Sequence, residues 1–151
     1  MRFKNLDDSL GRLVKKLENS KKDYPLYAMN FAKKLFEDRI FTFRGAEDIT
    51  GAKLPSYNPG YKKKKGKRAS TWDLQDTGDL RDSIQIDNIK PGKHIQLMFN
   101  DNDELEKADK IEERTGQTIF EISDKEKKAI LKYVADEMLR DIRKIIKESF
   151  K

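Results

Sequence analysis

Residues 70–86, STWDLQDTGDLRDSIQI, open as loop chemistry, pass through Thr77-Gly78, and close in an alternation of apolar and polar side chains. Glycine permits a tight turn at 78, so the stretch reads as an apolar anchor at Leu74, a turn, and a short helical or extended step into a strand. Leu80 and Ile84 are expected to point into the core. Ile84 and Ile86 share one face of the strand, because successive strand side chains alternate. After Lys90-Pro91-Gly92-Lys93 comes a second β-rich run, HIQLMFN at 94–100. Two such runs around a Pro-Gly turn predict an antiparallel hairpin.

Outward from the hairpin the periodicity becomes helical. Asp101-Asn102-Asp103 supplies capping side chains for a helix over Glu104 to Arg114, and Thr115-Gly116 stops it. Residues 118–122, TIFEI, form another brief β-rich run. Ser123 followed by Glu126 has capping-box spacing, directly before a long helix whose apolar stripe runs through Ile130, Leu131, Val134, Met138, Leu139, Ile142, Ile145 and Ile146. On the N-terminal side, Leu6, Leu10, Leu13, Val14 and Leu17 predict an amphipathic helix ending near Asn19. Pro25 can start a second helix, with Leu26, Tyr27, Met29, Phe31, Leu35 and Phe36 expected on a core face. Fold class is therefore α+β: a small antiparallel sheet packed against a long C-terminal helix, with N-terminal helices and a long protruding basic loop.

That loop is residues 44–71 of a single domain spanning 1–151. Gly45, Gly51, Pro55, Pro59, Gly60 and Gly66 interrupt any periodicity, and so long an irregular stretch in a small domain is usually functional. It contains the most basic run of the chain, Lys62, Lys63, Lys64, Lys65, Lys67 and Arg68, beside Tyr57, Tyr61 and Trp72. Cations with neighbouring aromatics suit phosphates and bases, or an acidic protein surface with the aromatics as apolar anchors. No helix-turn-helix or other nucleic-acid module surrounds the run.

Composition narrows the classes further. Apolar residues make up 36% and charged residues 40% of 151, thin for a compact monomer, so part of the apolar surface is expected to be covered only in an assembly. The formal charge of +6 admits acidic partners, yet 33 Lys and Arg are interleaved with 27 Asp and Glu, as on solvated helix faces. There are no cysteines, which removes disulfides, thiolate metal sites and thiol nucleophiles. His94 has no partner motif, and the Asp73, Asp76, Asp79, Asp82 series lacks calcium-loop spacing. Phosphate-loop, nucleophile-elbow and zinc-protease motifs are absent, so no enzyme is expected and no metal or cofactor is assigned. The polar start MRFKNLDDSL and the lack of a long apolar run predict a soluble intracellular protein.

At this point the chain resembles the tail-completion or virion-morphogenesis proteins of tailed bacteriophages. The resemblance rests on Leu74, Thr77-Gly78, Leu80 and Ser83-Ile84, on Ala108, Ile111, Glu112 and Gly116 before Ile119-Phe120, and on the closing helix after Ser123. The matches occur in family order from Trp72 to the C-terminus, about half the chain. The turn after Gly116 departs from the family, since Gln117-Thr118 replaces a segment that often contains proline and arginine. The N-terminal helices match only in kind. The resemblance implies a structural virion protein, assembled in the host cytoplasm into a homo-oligomeric ring at the neck or in the tail. A portal-attached adaptor, a tail terminator, the tail tube and packaged DNA are the implied neighbours, with no membrane. Tyr57, Tyr61, Lys62, Lys63, Lys64, Lys65, Lys67, Arg68 and Trp72 are the expected partner-binding residues. A small basic nucleic-acid-binding protein is the alternative.

Overall fold

A computed structural model describes residues 15, 24–64, 66, 71–75, 77–90 and 94–149, excepting the side chains of 88–90, 94, 95 and 149. The expected helix over 6–19 lies outside this set apart from Lys15, as do Lys65, Lys67, Arg68, Asp76 and the hairpin tip at 91–93. In chain order the described elements are helices α1 (Tyr24–Ile40), α2 (Pro59–Lys64) and α3 (Asp79–Asp82), strands β1 (Ile84–Lys90) and β2 (His94–Phe99), and helices α4 (Asn102–Thr115) and α5 (Asp124–Ser149). The architecture is mixed α+β and mostly helical. β1 and β2 pair antiparallel, with Ile84 opposite Phe99 and Ile86 opposite Leu97. The register shifts between Asp87 and Lys90.

The core gathers where these elements meet. Phe36, Ile40 and Phe41 from α1 and its end contact Leu80, Ile84, Ala108 and Ile119, with Ala46 and Leu54 from the loop. Leu80 and Ile84 are thus the inward side chains that the 70–86 stretch requires. Gly78 makes the turn at φ 96, and Ser83 Oγ then closes α3 on the Leu80 carbonyl at 2.8 Å. The Arg81 guanidinium ties α3 back to Glu37 on α1 at 3.1 Å.

α1 lies between the sheet and the long helix. It runs antiparallel to α5: Arg39 meets Glu126, Phe31 stacks on Tyr133 with ring centroids 4.3 Å apart, and Tyr24 donates to Asp141 at 2.8 Å. Over the whole contact, from 39 to 24 on α1 and from 126 to 141 on α5, the two helices advance by the same number of residues. α5 starts with the expected capping box, in which the Ser123 N–H donates to Glu126 at 2.7 Å and the Glu126 N–H donates to Ser123 Oγ at 3.2 Å. Gly116, at φ 66, ends α4, and the Asp101 carboxylate caps its start.

Three local expectations change. The run 118–122 is not a strand: the Glu112 carboxylate accepts the Ile119 and Phe120 N–H groups, and Arg39 takes the Ile119 and Glu121 carbonyls. Side chains thereby satisfy backbone groups that a strand would have paired with a neighbour. On α1, Leu26 and Tyr27 are exposed, because α5 covers only one side of the helix there. The stripe on α5 splits as well. Ile130, Val134, Met138, Ile142 and Ile145 are half-buried, while Leu131, Leu139 and Ile146 face outward, Leu131 at 70% exposure.

The first half of the 44–71 loop is folded onto the core rather than extended. The Trp72 backbone clasps it, accepting from the Ala46 N–H at 2.7 Å and donating to the Pro55 carbonyl at 2.9 Å. Between these points Asp48 organises a turn. One of its oxygens accepts from the Thr50 N–H, the Thr50 hydroxyl and the Ala52 N–H at 2.7–2.9 Å, and the other from Gln117 at 3.2 Å. Burial pushes the Asp48 carboxyl upward, but these bonds, led by Thr50, outweigh it and hold it below its ordinary 3.8. A depressed carboxyl stabilises the fold fully above the unfolded value and loses that contribution as pH falls through the folded one. The stability gap between the native chain and Asp48→Asn is therefore expected to be constant near neutrality and to shrink below pH 3.8. Urea titrations at stepped pH check this, and a gap that stays flat into acid contradicts it.

Candidate partner-binding cleft

The segment beyond the clasp carries the aromatic and basic residues singled out in the sequence. Asn58 starts α2 by accepting from the Gly60 N–H at 2.9 Å, and Pro59 occupies the first helical position, where its missing N–H costs nothing. This single turn brings Tyr61 back over Tyr57, with centroids 5.5 Å apart. Tyr57 is fixed from below. Its hydroxyl donates to the buried Asp73 carboxylate at 2.6 Å and accepts the Asp73 N–H at 3.1 Å. Burial first, and the Asp73 hydrogen bond second, push this phenol far above its ordinary range, so it remains a donor.

Trp72 lies beside the tyrosines, packed on the core. Its ring is covered by the Arg114 guanidinium, 5.5 Å from the centroid, a cation–π arrangement. Next comes Leu74 at φ 52, the one non-glycine residue with positive φ among those described. A leucine held there is strained by about 1–3 kcal/mol, and such strain persists where surrounding structure over-determines it. The turn Thr77-Gly78-Asp79 follows, in which Thr77 Oγ1 donates to Asp79 at 2.6 Å.

These pieces enclose a cleft of about 680 Å³ between α2, the 72–80 segment and α4. The volume is in the range of pockets that accept a small molecule or a few side chains of a peptide. Its floor is apolar, formed by Trp72, Leu74, Leu80 and Ile111, with Tyr57 and Tyr61 as one wall. α4 supplies the other wall with Glu104, Lys107, Ile111 and Arg114, residues of a single helical face. Lys107 pairs with Glu104, and that hydrogen bond, reinforced by the fields of Glu104, Asp79 and Asp103, holds its ammonium above the ordinary value.

Tyr57, Tyr61 and Trp72 are thus brought together, as walls and floor of a concave site. Lys62, Lys63 and Lys64 continue α2 past Tyr61 without lining the cleft, Lys63 and Lys64 exposed and Lys62 half-buried, and Lys65, Lys67 and Arg68 lie outside the described residues. The α4 contribution was missed in the sequence. Its signal was the spacing Glu104, Lys107, Ile111, Arg114, a face adjoining the core residue Ala108, with Ile111 packed against the core as well. Among the described residues no three His, Asp or Glu side chains are grouped as metal ligands, and no helix is long and apolar enough to cross a membrane. Compared with known proteins, the chain matches no family model, no curated protein and no solved structure.

Proposed function

We propose that the chain is a structural protein of a tailed-phage particle, a ring-forming component of neck or tail completion that acts by binding rather than catalysis. The observation that carries this reading is the folded form of the Leu74, Thr77-Gly78, Leu80, Ser83-Ile84 step. A strained leucine, a glycine turn and a one-turn helix deliver the chain into the hairpin and line the cleft at the same time. A closed ring with heterologous contacts needs two unlike surfaces on each protomer. The outward ridge of Leu131, Leu139 and Ile146 on α5, which takes no part in the cleft, supplies one of them and leaves the cleft free for a further partner. Exposed apolar side chains repeated along one helix face are characteristic of surfaces covered in an assembly.

The test places charge on the ridge. Leu131→Glu with Leu139→Glu is expected to leave the helical circular dichroism intact and to abolish ring formation by light scattering. In a phage lacking its own copy of the protein, the double variant should yield heads and tails that fail to join. Full infectivity with the double variant would overturn the assignment. A second reading as a nucleic-acid-binding protein is favoured by Lys63 and Lys64, exposed on α2 without an ion-pair partner among the described residues. It predicts DNA affinity that falls steeply with salt and drops when both lysines become glutamate.

A further inference from the structure

We infer that the cleft is a receptor for an extended acidic segment of a partner protein, one that inserts one or two apolar side chains between Tyr61 and Ile111 and places its carboxylates against Arg114 and Lys62–Lys64. The inference concerns what the site receives, and it stands whether or not the partner is a virion protein.

Three features carry it. The first is concavity. Tyr57, Tyr61 and Trp72 converge on a shared hollow, so they receive side chains from a partner instead of projecting into one. The second is that one face of each ring is already engaged: Tyr57 and Tyr61 stack on each other, while Trp72 rests on the core and carries Arg114. Base stacking needs an open aromatic face. Beside the rings the cleft presents the aliphatic side chains of Leu74, Leu80 and Ile111, which suit a leucine-like or phenylalanine-like side chain.

The third feature is the balance of uncommitted charge. Of the two carboxylates among the described lining residues, Glu104 is paired with Lys107, while Asp79 takes only the Thr77 hydroxyl. The cations are not matched in the same way. Arg114 and Lys62, Lys63 and Lys64 have no carboxylate within ion-pair distance among the described residues. An incoming carboxylate therefore meets unpaired positive charge beside an apolar hollow, whereas an incoming cation finds Glu104 already paired and only the exposed Asp79 left among the described lining carboxylates.

Trp72 is the only tryptophan in the chain, so its emission reports on the cleft directly. The probe is a blocked hexapeptide with a central Leu-Phe pair flanked on each side by two aspartates. A lysine-flanked counterpart and a twelve-nucleotide oligothymidylate serve as controls. With the full-length chain, the acidic peptide should give a saturable change in Trp72 emission that weakens with salt, at least tenfold tighter than the basic peptide. Tyr61→Ala and Arg114→Glu, both at exposed positions, should each weaken it at least tenfold without altering circular dichroism. Equal affinity for the two peptides, unchanged affinity in Tyr61→Ala, or a response to the oligonucleotide alone would overturn the inference. If Arg114→Glu fails to fold, the Tyr61→Ala result decides. This titration uses the isolated chain, so its failure leaves the particle-joining result standing, and the converse also holds.

Discussion

Replacing Arg39 with alanine is expected to cost about 3–5 kcal/mol, because it strands a buried carboxylate and several carbonyls at once. The guanidinium contacts Glu126 at 2.9 Å, the Glu47 carbonyl at 2.8 Å, the Ile119 carbonyl at 3.0 Å and the Glu121 carbonyl at 2.5 Å. The Arg39 and Glu126 side chains are only 9% and 8% exposed, so water cannot replace the lost partner. One side chain thus joins α1 to the 44–71 loop, to the segment after Gly116 and to the capping box of α5. Arg39→Lys keeps the charge but not the planar fork, and it should recover less than half of the loss. In urea the midpoint should fall for both variants with little change in slope. An Arg39→Ala midpoint equal to the native one would mean that these contacts contribute nothing net.

Gly45→Ala is the second substitution with a large expected effect, about 2–6 kcal/mol from two separable causes. Gly45 sits at φ 90, a conformation in which an L side chain is strained by about 1–3 kcal/mol. A Cβ there also falls 1.8 Å from Thr71 Oγ1 and 3.2 Å from Thr71 Cβ, so the Thr71 side chain must shift. Overpacking of this kind adds about 1–3 kcal/mol. Trimming the neighbour separates the causes. Thr71→Ala removes the oxygen and should restore roughly the steric half of the loss, leaving the backbone strain, a coupling that a double-mutant cycle reads directly. Thr71→Val alone should be neutral or slightly stabilising, since Thr71 Oγ1 is buried without a hydrogen-bond partner and a methyl group needs none. Strict additivity of Gly45→Ala and Thr71→Ala would show that the clash is relieved elsewhere.

Both substitutions act on the base of the cleft without touching its walls. Gly45 and Thr71 flank the Trp72 clasp, and Arg39 anchors the loop from the other side through the Glu47 carbonyl. Loosening either is expected to dim the Trp72 response to the acidic peptide in proportion to lost stability, whereas Tyr61→Ala dims it with stability intact.

Much of this protein was legible locally. The hairpin, the turn at Gly78, the capping box at Ser123 and Glu126 and the stop at Gly116 follow from short-range chemistry: alternation, positive φ, and side chains that satisfy the open ends of helices. Those signals operate over a few residues, and the sequence displays all of them. What only tertiary structure decided are arrangements whose partners are far apart in the chain. TIFEI has the composition of a strand, but Arg39, some eighty residues earlier, and Glu112 took its backbone groups first. Leu131 belongs to the same apolar stripe as Val134, yet α1 is narrow enough to cover one edge and leave the other to solvent. The 44–71 stretch reads as one irregular loop because glycine and proline erase periodicity; its first half, from Ala46 to Pro55, is clasped by Trp72 through backbone bonds that carry no sequence signature. The cleft exists for the same reason, as a product of where α4 and α2 come to rest after the core around Ile40, Leu54 and Ile119 has closed.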